Sequence, residues 1–272
     1  MKSNEFREMK TDFTETGSDD VISEPEISGS VSFDTVRDIF DKVIPGFDDE
    51  EIAPRVRMLE EYMDAVLDLN QHINLTAITD RAEFIRKHYA DSLLCAGLDE
   101  FKSAGTIIDV GTGGGFPGIP LAVVFPEKKF VLIDSLNKRI KIINELCEKI
   151  GIKNVTAVHG RAEELARRKE MREAFDLCVS RAVANMSTLS EYCLPFVKVG
   201  GCFMAYKGPD CENELLDASH AVDVLGGDVL RIESPSYDGL DFDHRIIVIK
   251  KVKNTTSRFP RKPGTPSKEP IK

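Results

Sequence analysis

The sequence predicts an α/β fold: a mostly parallel sheet that follows an N-terminal helical segment and ends in an antiparallel hairpin. Three features of the chain indicate this. From residue 106 onward short apolar runs alternate with helical stretches, a glycine-rich turn follows the first run, and the last two strand-like runs are joined only by a loop. Parallel strands need a crossover connection, usually a helix, whereas two strands joined by a short loop pair antiparallel.

The helical segment occupies the chain before the glycine-rich turn. Residues 33–44 and 51–69 carry apolar side chains at spacings of three and four, which is the period of an amphipathic helix. A polar break then leads to a third helical stretch, residues 81–98. We therefore expect three helices, and we place the N-terminal helical segment at residues 31–100, packed on the core.

The sheet is predicted from seven strand-like runs. Five of them alternate with helical stretches, which include residues 135–151 and 161–171, so these five are expected to be parallel. Their sequences are TIIDV, KFVLID, NVTAV, FDLCVS and CFMAYK. The remaining two runs, GDVLRIESPSY and DHRIIVIKKV, form the predicted hairpin, and together the runs place the core at residues 101–252.

The formal net charge of −10 is unevenly distributed along the chain. Residues 1–50 hold 14 acidic and 5 basic residues, whereas residues 250–272 hold 8 basic residues and one acidic residue. Residues 1–30 are polar and acidic with few apolar side chains, which predicts a disordered leader. The basic tail, residues 253–272, contains four prolines and is expected to be an extended arm. That arm is either a solvated terminus or a contact with an anionic partner such as RNA.

Signals for a membrane span, for secretion or for a metal site are not found in the sequence. No apolar run approaches the about 18 residues that a membrane span needs, and the N-terminus lacks the apolar middle of a signal peptide. We therefore expect a cytoplasmic protein. The six cysteines are scattered without a CxxC pair, so we expect buried, reduced thiols and neither a disulfide framework nor a metal site.

The segment IIDVGTGGGFPG, residues 107–118, is the main local signal for a ligand site. A glycine-rich turn after a buried strand lets the backbone come close to a ligand, and the helix that follows turns its positive end toward it. In a parallel sheet such a ligand lies at the carboxyl ends of the strands. Asp134 ends the next strand, where an acidic side chain commonly accepts hydrogen bonds from a ribose. The ligand is therefore expected to contain an adenosine-like ribose.

Two classes of ligand share this geometry. The GxGxxG fingerprint of dinucleotide sites is matched formally by Gly113, Gly115 and Gly118. Its register is poor, because the apolar run stops at Val110, and a turn that begins at Gly111 places Phe116 where the fingerprint needs glycine or alanine. S-adenosylmethionine has no pyrophosphate to hold. The terminal hairpin also favours a Rossmann-like class I S-adenosylmethionine methyltransferase over a dehydrogenase.

An ordered set of motifs resembles one known family from about residue 35 to the end of the chain. The motifs are NLTAITD, RKHYADSL, IIDVGTGGGFPGIPLAVVFP, VLIDSLNKRIKII, GRAEELA, FDLCVSRAVA, YKG, HRIIVIKK and the tail FPRKPGTPSKEPI. Together they resemble the RsmG family, also called glucose-inhibited division protein B, whose members methylate N7 of a guanine in small-subunit ribosomal RNA. The resemblance implies S-adenosyl-L-methionine as cofactor and 16S ribosomal RNA, within the small ribosomal subunit, as partner. We also expect a monomer.

The resemblance further implies which residues contact the cofactor. They are Gly111 and Phe116 in the turn, Ala162 and Glu163 after the third strand, and Arg181 after the fourth. Asp134, placed by its spacing, completes the set. For two of these residues a structural role stays open as the alternative. Glu163 could be an acid at a helix N-terminus, stabilised there by the helix dipole, and Arg181 could form a surface ion pair.

Contacts with RNA are expected from basic and polar side chains around the same edge of the sheet. The candidates are Asn74, Arg86, His88, Asp91, Arg139 and Lys207. Arg181 and Lys207 are also candidates for positioning the reactants, because Arg181 follows the fourth predicted strand and Lys207 ends the fifth. For His88 a purely structural hydrogen-bonded role is an open alternative.

The chemistry of N7 methylation needs no general base, because that nitrogen carries a lone pair and no proton. The chain reads SRAVAN after the fourth strand rather than the [DN]PP[YF] loop of exocyclic-amine methyltransferases, and it has no Pro-Cys dipeptide for attack on a pyrimidine carbon. The acceptor is therefore a ring nitrogen or an oxygen. Two other functions stay open, a small-molecule methyltransferase and a non-catalytic nucleotide-sensing RNA-binding protein, and the basic tail and helical lead-in argue against the first.

Overall fold

The computed structural model describes residues 35–71, 73–237, 242 and 244–272. These residues belong to one compact unit, residues 31–272. The predicted disordered leader, residues 1–30, lies outside the described residues. The predicted domain boundaries stay predictions.

Seven strands form a single sheet in the order β3-β2-β1-β4-β5-β7-β6. The strands are β1 (Thr106–Val110), β2 (Lys129–Asp134), β3 (Val155–His159), β4 (Phe175–Arg181), β5 (Val197–Lys207), β6 (Gly227–Glu233) and β7 (Arg245–Lys251). Strands β1 to β5 pair parallel, whereas β7 runs antiparallel to both β5 and β6. The predicted mostly parallel sheet with a terminal antiparallel hairpin is confirmed.

Helices follow each of the first five strands. They are α5 (Gly118–Val124), α6 (Asn137–Ile150), α7 (Ala162–Leu165), α8 (Met186–Cys193), α9 (Cys211–Asp217) and α10 (Ser219–Val224). The predicted helix over residues 161–171 is wrong beyond Leu165, where α7 ends. The next residues, 167–170, are all charged and exposed, so further helical turns would bury no apolar surface.

The N-terminal helical segment contains four α-helices. They are α1 (Arg37–Lys42), α2 (Asp49–Asn70), α3 (Arg81–Phe84) and α4 (Asp99–Ser103). Helix α2 begins with a capping box, in which the side chain of Asp48 accepts from the Glu51 N–H and the side chain of Glu51 accepts from the Asp48 N–H. Its buried side chains, among them Leu59 and Tyr62, join the same hydrophobic cluster as one face of the sheet.

The third predicted helix, residues 81–98, is not continuous. After α3 the chain forms a π-helix at Ile85–Ala90 and then a 3₁₀ turn at Leu93–Cys95. The buried pair at residues 84 and 85 recurs five positions later at residues 89 and 90. The i→i+5 geometry of a π-helix places both pairs on the buried side, and such turns are frequent at functional sites.

The core lies on both faces of the sheet, in two hydrophobic clusters. Ile107 belongs to the cluster under the N-terminal helices, and Ile108, its neighbour on β1, belongs to the cluster under α8 and α10. This alternation is that of a strand covered on both faces. Within the described part of the chain, no helix is long and apolar enough to cross a membrane.

The basic tail is docked on the body of the protein, so the predicted extended arm is wrong. Arg172 donates to the carbonyls of Thr255 and Phe259, and a short helix, α11 (Thr265–Lys268), follows. The side chain of Phe259 is buried. A chain without ladder partners keeps free carbonyl oxygens, and arginine side chains of the body satisfy them here.

Candidate functional site

A cavity of about 130 Å³ lies at the carboxyl ends of β1, β2 and β3, and we call it the strand-end cavity. It is lined by Val110, Gly111, Ile133, Asp134, Ser135, Gly160, Arg161, Ala162, Glu163, Val183 and Tyr192. Four of the six predicted cofactor residues are among them. The structure thus brings together Gly111, Asp134, Ala162 and Glu163.

Gly111 begins the glycine-rich turn in a backbone conformation that favours glycine, with a φ of 76°. Its N–H donates to the carbonyl of Ile133 at 2.9 Å, which ties the turn to β2. A Cβ atom at this position would lie 2.5 Å from Cγ2 of Val183. The turn therefore brings bare backbone to the wall of the cavity.

Asp134 ends β2 with its carboxylate held by backbone groups. Oδ2 accepts from the Gly113 N–H at 3.0 Å, and Oδ1 accepts from the Leu136 N–H at 2.8 Å. Each carboxylate oxygen has a further lone pair, so both can still accept from the hydroxyls of a ribose. Arg139, a predicted RNA contact, lies beside this group, with Nη1 3.5 Å from Oδ2.

Ala162 and Glu163 begin α7 at the opposite side of the strand-end cavity. Glu163 is only 3% exposed, although it is an acid at the start of a helix. Its Oε1 accepts a hydrogen bond from the N–H of Gly264 in the C-terminal tail, at 2.9 Å. The tail therefore reaches the lining of the cavity, a contact that the sequence did not predict.

Asp109 is a functional candidate that sequence reasoning missed. This buried side chain at the end of β1 accepts from Thr112 Oγ1 at 2.7 Å and from the Gly118 N–H at 2.9 Å, both through Oδ2. Among the described residues Oδ1 has no hydrogen-bond partner, and burial raises the pKa of the carboxyl to about 7. The first N–H of α5, that of Gly118, thus binds Asp109, and the second, that of Ile119, binds the Gly115 carbonyl. Neither amide is free for the ligand that the start of this helix was expected to face. An acid between a buried strand and a glycine turn was the available signal.

A second cavity, of about 290 Å³, lies on the other side of the end of β4, and we call it the basic cavity. It is lined by Ile78, Arg86, Lys87, His88, Asp91, Arg181, Ala182, Phe242 and His244. Arg181 and Ala182 line this cavity, and the next residue, Val183, lines the strand-end cavity. Ala182 has a φ of 55°, which is unusual for a residue other than glycine. The segment Arg181–Val183 is therefore a wall shared by both cavities.

Arg181 points into the basic cavity and away from the strand-end cavity. It forms an ion pair with Asp91, and the two side chains are 8% and 4% exposed, so the alternative of a surface ion pair is wrong. Asp91 also accepts from His244 Nδ1 at 2.8 Å through its other oxygen. Because a carboxylate only accepts, His244 carries its proton on Nδ1 when neutral, which leaves Nε2 as an acceptor.

His88 is held by hydrogen bonds at both ring nitrogens. Nδ1 lies 3.2 Å from Nη2 of Arg181, which can only donate, so Nε2 carries the proton that Thr76 Oγ1 accepts at 2.6 Å. Burial, together with the nearby charge of Arg181, lowers the pKa of His88 to about 3. His88 is therefore neutral, which favours its structural interpretation.

Phe116 lies between the glycine-rich turn and the helical segment and does not line either cavity. Its ring stacks on His88 with a centroid separation of 4.3 Å and packs edge-on against Tyr62 and Phe84. The guanidinium of Arg181 lies 5.7 Å from its ring centroid. Phe116 thus supports the two groups that line the basic cavity.

The remaining predicted contacts lie outside both cavities, except for Arg86, which lines the basic one. Asn74 is exposed in the loop before α3. Lys207 is 12% exposed and donates to Glu214 at 2.7 Å and to the carbonyl of Ala184 at 2.6 Å. It therefore braces the segment that follows the shared wall.

All six cysteines are buried and unpaired, as predicted. In the ranges that the structure describes, no group of three or more His, Cys, Asp or Glu side chains is arranged to hold a metal ion.

The strand order, the antiparallel β7 and the cavity at the strand ends define the class of protein: a Rossmann-like class I S-adenosylmethionine methyltransferase. An O-methyltransferase from Bacillus cereus, solved in complex with SAH, has the same fold, with a TM-score of 0.50, 16% identity and coverage of 79% of this chain and 96% of that one. The family model of GidB, rRNA small subunit methyltransferase G, matches residues 55–238. This chain belongs to that family.

Curated relatives agree with the family. Ribosomal RNA small subunit methyltransferase G from Alkaliphilus metalliredigens is 49% identical over 218 residues, which are 80% of this chain and 91% of the relative. The protein of that name from Clostridium perfringens is 48% identical over 78% of this chain and 88% of its own length. The predicted resemblance is confirmed, and the matches span most of each relative.

Proposed function

We propose that this enzyme transfers the methyl group of S-adenosylmethionine to N7 of a guanine in 16S ribosomal RNA. The observation that carries this proposal is the shared wall, Arg181–Val183, which has a cavity on each of its two sides. We assign the strand-end cavity to the methyl donor and the basic cavity to the acceptor. The relatives named ribosomal RNA small subunit methyltransferase G support RNA as the substrate. As a ribosomal RNA enzyme it would act in the cytoplasm, and we propose that it acts as a monomer.

The residues of the strand-end cavity fit the donor. The carboxylates of Asp134 and Glu163 suit the ribose hydroxyls and the adenine amino group, since carboxylates only accept hydrogen bonds. Gly111 leaves room that a side chain would fill. When bound, the donor supplies an electrophilic methyl group on a sulfonium. The cavity is smaller than the about 300–1,000 Å³ of most ligand sites, and the half-exposed Val183 narrows it, so this side chain has to move aside on binding.

The groups at the shared wall are suited to positioning rather than to proton transfer. His88 is neutral with both ring nitrogens hydrogen-bonded, and Asp109 is buried behind the turn. Methylation at N7 requires no proton removal, so such a site needs only to hold the two reactants in line and exclude water. That contribution can reach about 7–11 kcal/mol in favourable cases.

The basic cavity is the proposed place of the guanine. His244 Nε2 offers an acceptor to the base N–H groups, and the exposed side chain of Arg86 suits a flanking phosphate. Methylation makes the purine ring cationic and its N–H groups more acidic, so an acceptor facing them stabilises the product-like charge. Binding that depends on phosphates falls steeply with salt.

The proposal is tested with a radiolabelled methyl donor and three acceptors: small ribosomal subunits, naked 16S ribosomal RNA and a mixture of small metabolites. We expect label in RNA only, recovered as 7-methylguanosine after nuclease digestion. Label in a metabolite, or at another atom of the base, would contradict the proposal. Arg86→Ala should raise the KM for RNA, whereas Arg57→Ala, on an exposed face of α2, is the matched control.

A further inference from the structure

Gly264 of the C-terminal tail contacts the lining of the strand-end cavity through Glu163, and we propose that the tail is a part of the donor site. The N–H of Gly264 donates to Glu163 Oε1 at 2.9 Å, and Glu163 lines the cavity with only 3% of its surface exposed. The tail would position this carboxylate for the amino group of the adenine. The inference rests on the proposed function, because it assumes that the cavity takes S-adenosylmethionine.

The tail is fixed by specific contacts with helix α8. Arg261 donates to Glu191 through its backbone N–H at 2.6 Å and through Nη2 at 2.7 Å, and the Glu191 side chain is completely buried. Thr188 Oγ1 donates to the carbonyl of Pro266 at 3.0 Å. Since a buried carboxylate needs such partners, undocking of the tail would be costly. The docked tail is therefore a stable part of the folded protein.

The same tail segment connects the two sides of the cavity. Glu163 enters the lining from α7, and Tyr192 enters it from α8, the helix to which Arg261 and Thr188 bind the tail. Residues 261–266 thus contact both α7 and α8, the two helices that contribute Glu163 and Tyr192 to the cavity lining. Because the tail binds both helices, it would fix the distance between α7 and α8 and so the width of the pocket for a ligand bound between them.

Glu163 depends on the tail for the orientation of its carboxylate. Its Oε1 is used by Gly264, and among the described residues no hydrogen bond to Oε2 is found, which leaves Oε2 for a donor group of a ligand. Gly264 adopts a φ of 81°, a conformation that favours glycine and that aims its N–H at the carboxylate. Without this N–H the buried carboxylate would lose a charge-assisted hydrogen bond and turn to another partner.

Two lysines of the tail lie on its outer side, unlike Arg261, which faces Glu191. Lys262 and Lys268 are exposed, whereas Phe259 and Pro266 are buried against the body. An RNA contact would use the outer lysines and would not involve Glu163. The two roles therefore predict different effects: an RNA arm changes the affinity for RNA, and a donor-site element changes the affinity for the donor.

The test is a double-mutant cycle with calorimetric titration of S-adenosylmethionine. The first change is a chain that ends at Lys262, which keeps Phe259 and Arg261 but removes Gly264. The second is Glu163→Ala, which removes the acceptor of the Gly264 N–H, with Glu164→Ala on the exposed side of α7 as its matched control. A chain that ends at Glu269 controls for shortening. Thermal unfolding of every variant confirms that it is folded at the assay temperature.

We expect the chain that ends at Lys262 to bind the donor about tenfold more weakly, the loss of one hydrogen bond to a charged group. The KM for the donor should rise with the Kd, while the KM for RNA follows only the loss of outer lysines, which Lys268→Ala reproduces. In the Glu163→Ala background the same truncation should add less than about twofold, because residues that act through one contact are not additive.

Two outcomes would overturn the inference. The first is an unchanged donor Kd after truncation. The second is a full, independent effect of truncation in the Glu163→Ala background, which would make the tail a general stabiliser. If the full-length chain itself binds no donor, the proposed function fails instead, so the two failures are distinguishable.

Discussion

The two cavities on either side of the Arg181–Val183 wall are built in different ways. The strand-end cavity is formed by strand ends and turns, and its acid Asp134 is held by backbone N–H groups that lie two and 21 residues away. The basic cavity is formed by side chains that meet from distant parts of the chain, with Asp91 bound to Arg181 90 residues away and to His244 153 residues away. The first arrangement is local and the second is tertiary. Four predictions test whether the surroundings of the two cavities also differ in their contributions to stability and to donor binding.

The largest effect is expected from Arg181→Ala. The change leaves Asp91 as a buried charge without its main partner, which typically costs about 3–5 kcal/mol of unfolding free energy. Methyl transfer should fall by at least tenfold as well, because the shared wall loses its support. Urea unfolding and single-turnover transfer measure the two effects. The control is Arg57→Ala, an exposed ion pair worth about 0–1 kcal/mol; equal effects of the two variants would contradict the buried pair.

A second effect is expected from Asp134→Asn on donor binding. The asparagine amide brings a donor close to the N–H groups of Gly113 and Leu136 and removes the charge that accepts from the ribose. We expect a loss of about tenfold or more in donor affinity. Calorimetry with S-adenosylmethionine measures it, with Asp228→Asn on the exposed side of β6 as control. Unchanged affinity would show that the ribose lies elsewhere.

Asp109, behind the glycine-rich turn, and His88, in the basic cavity, should contribute to the pH dependence of stability with opposite signs. The pKa of Asp109 is raised to about 7, so between its ordinary value of 3.8 and 7 the folded state holds a proton that the unfolded state has lost. Stability from this group falls as the pH rises through that range. The pKa of His88 is lowered from 6.5 to about 3, so the unfolded state binds the extra proton and stability rises with pH between these values.

Single variants separate these opposing contributions. The slope of the unfolding free energy against pH should become more positive in Asp109→Asn and less positive in His88→Gln. Each variant should change this slope by at most about 1.4 kcal/mol per pH unit. Urea unfolding across this pH range measures the slopes. His220→Gln, an exposed residue of α10, is the control. Parallel pH profiles for all four proteins would refute the assignment.

The smallest effect comes from a pair of glycine variants in the turn. Gly111→Ala and Gly113→Ala both place a side chain at positive φ, which costs about 1 kcal/mol in each case. A Cβ at residue 111 also meets Val183 at 2.5 Å, whereas a Cβ at residue 113 has nothing within 4 Å. We therefore expect a larger loss of stability for Gly111→Ala than for Gly113→Ala, and weaker donor binding for Gly111→Ala only. Equal donor affinities in thermal-shift and calorimetric assays would place the donor away from Gly111.

The sequence was sufficient to place Gly111 and Asp134 at one edge of the sheet because their signals are local. Strand, turn and acid follow one another within β1 and β2, and the periods of the helices and strands fix which sheet edge they share. The helix over residues 161–171 failed at Leu165, where tertiary burial and not helix propensity decides the end.

The basic cavity could not be derived in this way. The π-helix at Ile85–Ala90 has the same composition as an ordinary helix, and nothing near Arg181 in sequence shows that its partner is Asp91. The tail was predicted as an arm because its prolines exclude regular structure. Its true position depends on arginine and glutamate side chains such as Arg172 and Glu191, whose contacts with it span 70 residues or more.

The hydrogen bond between Gly264 and Glu163 has a consequence for biosynthesis. Glu163 meets this partner only after translation has passed Gly264, which lies beyond β7, the last strand of the sheet. A nascent or prematurely terminated product can possess every strand of the sheet and still lack the contact at the cavity rim. Synthesis of the tail segment with Gly264, and not only folding of the sheet, would then mark the moment at which the enzyme acquires full affinity for its methyl donor.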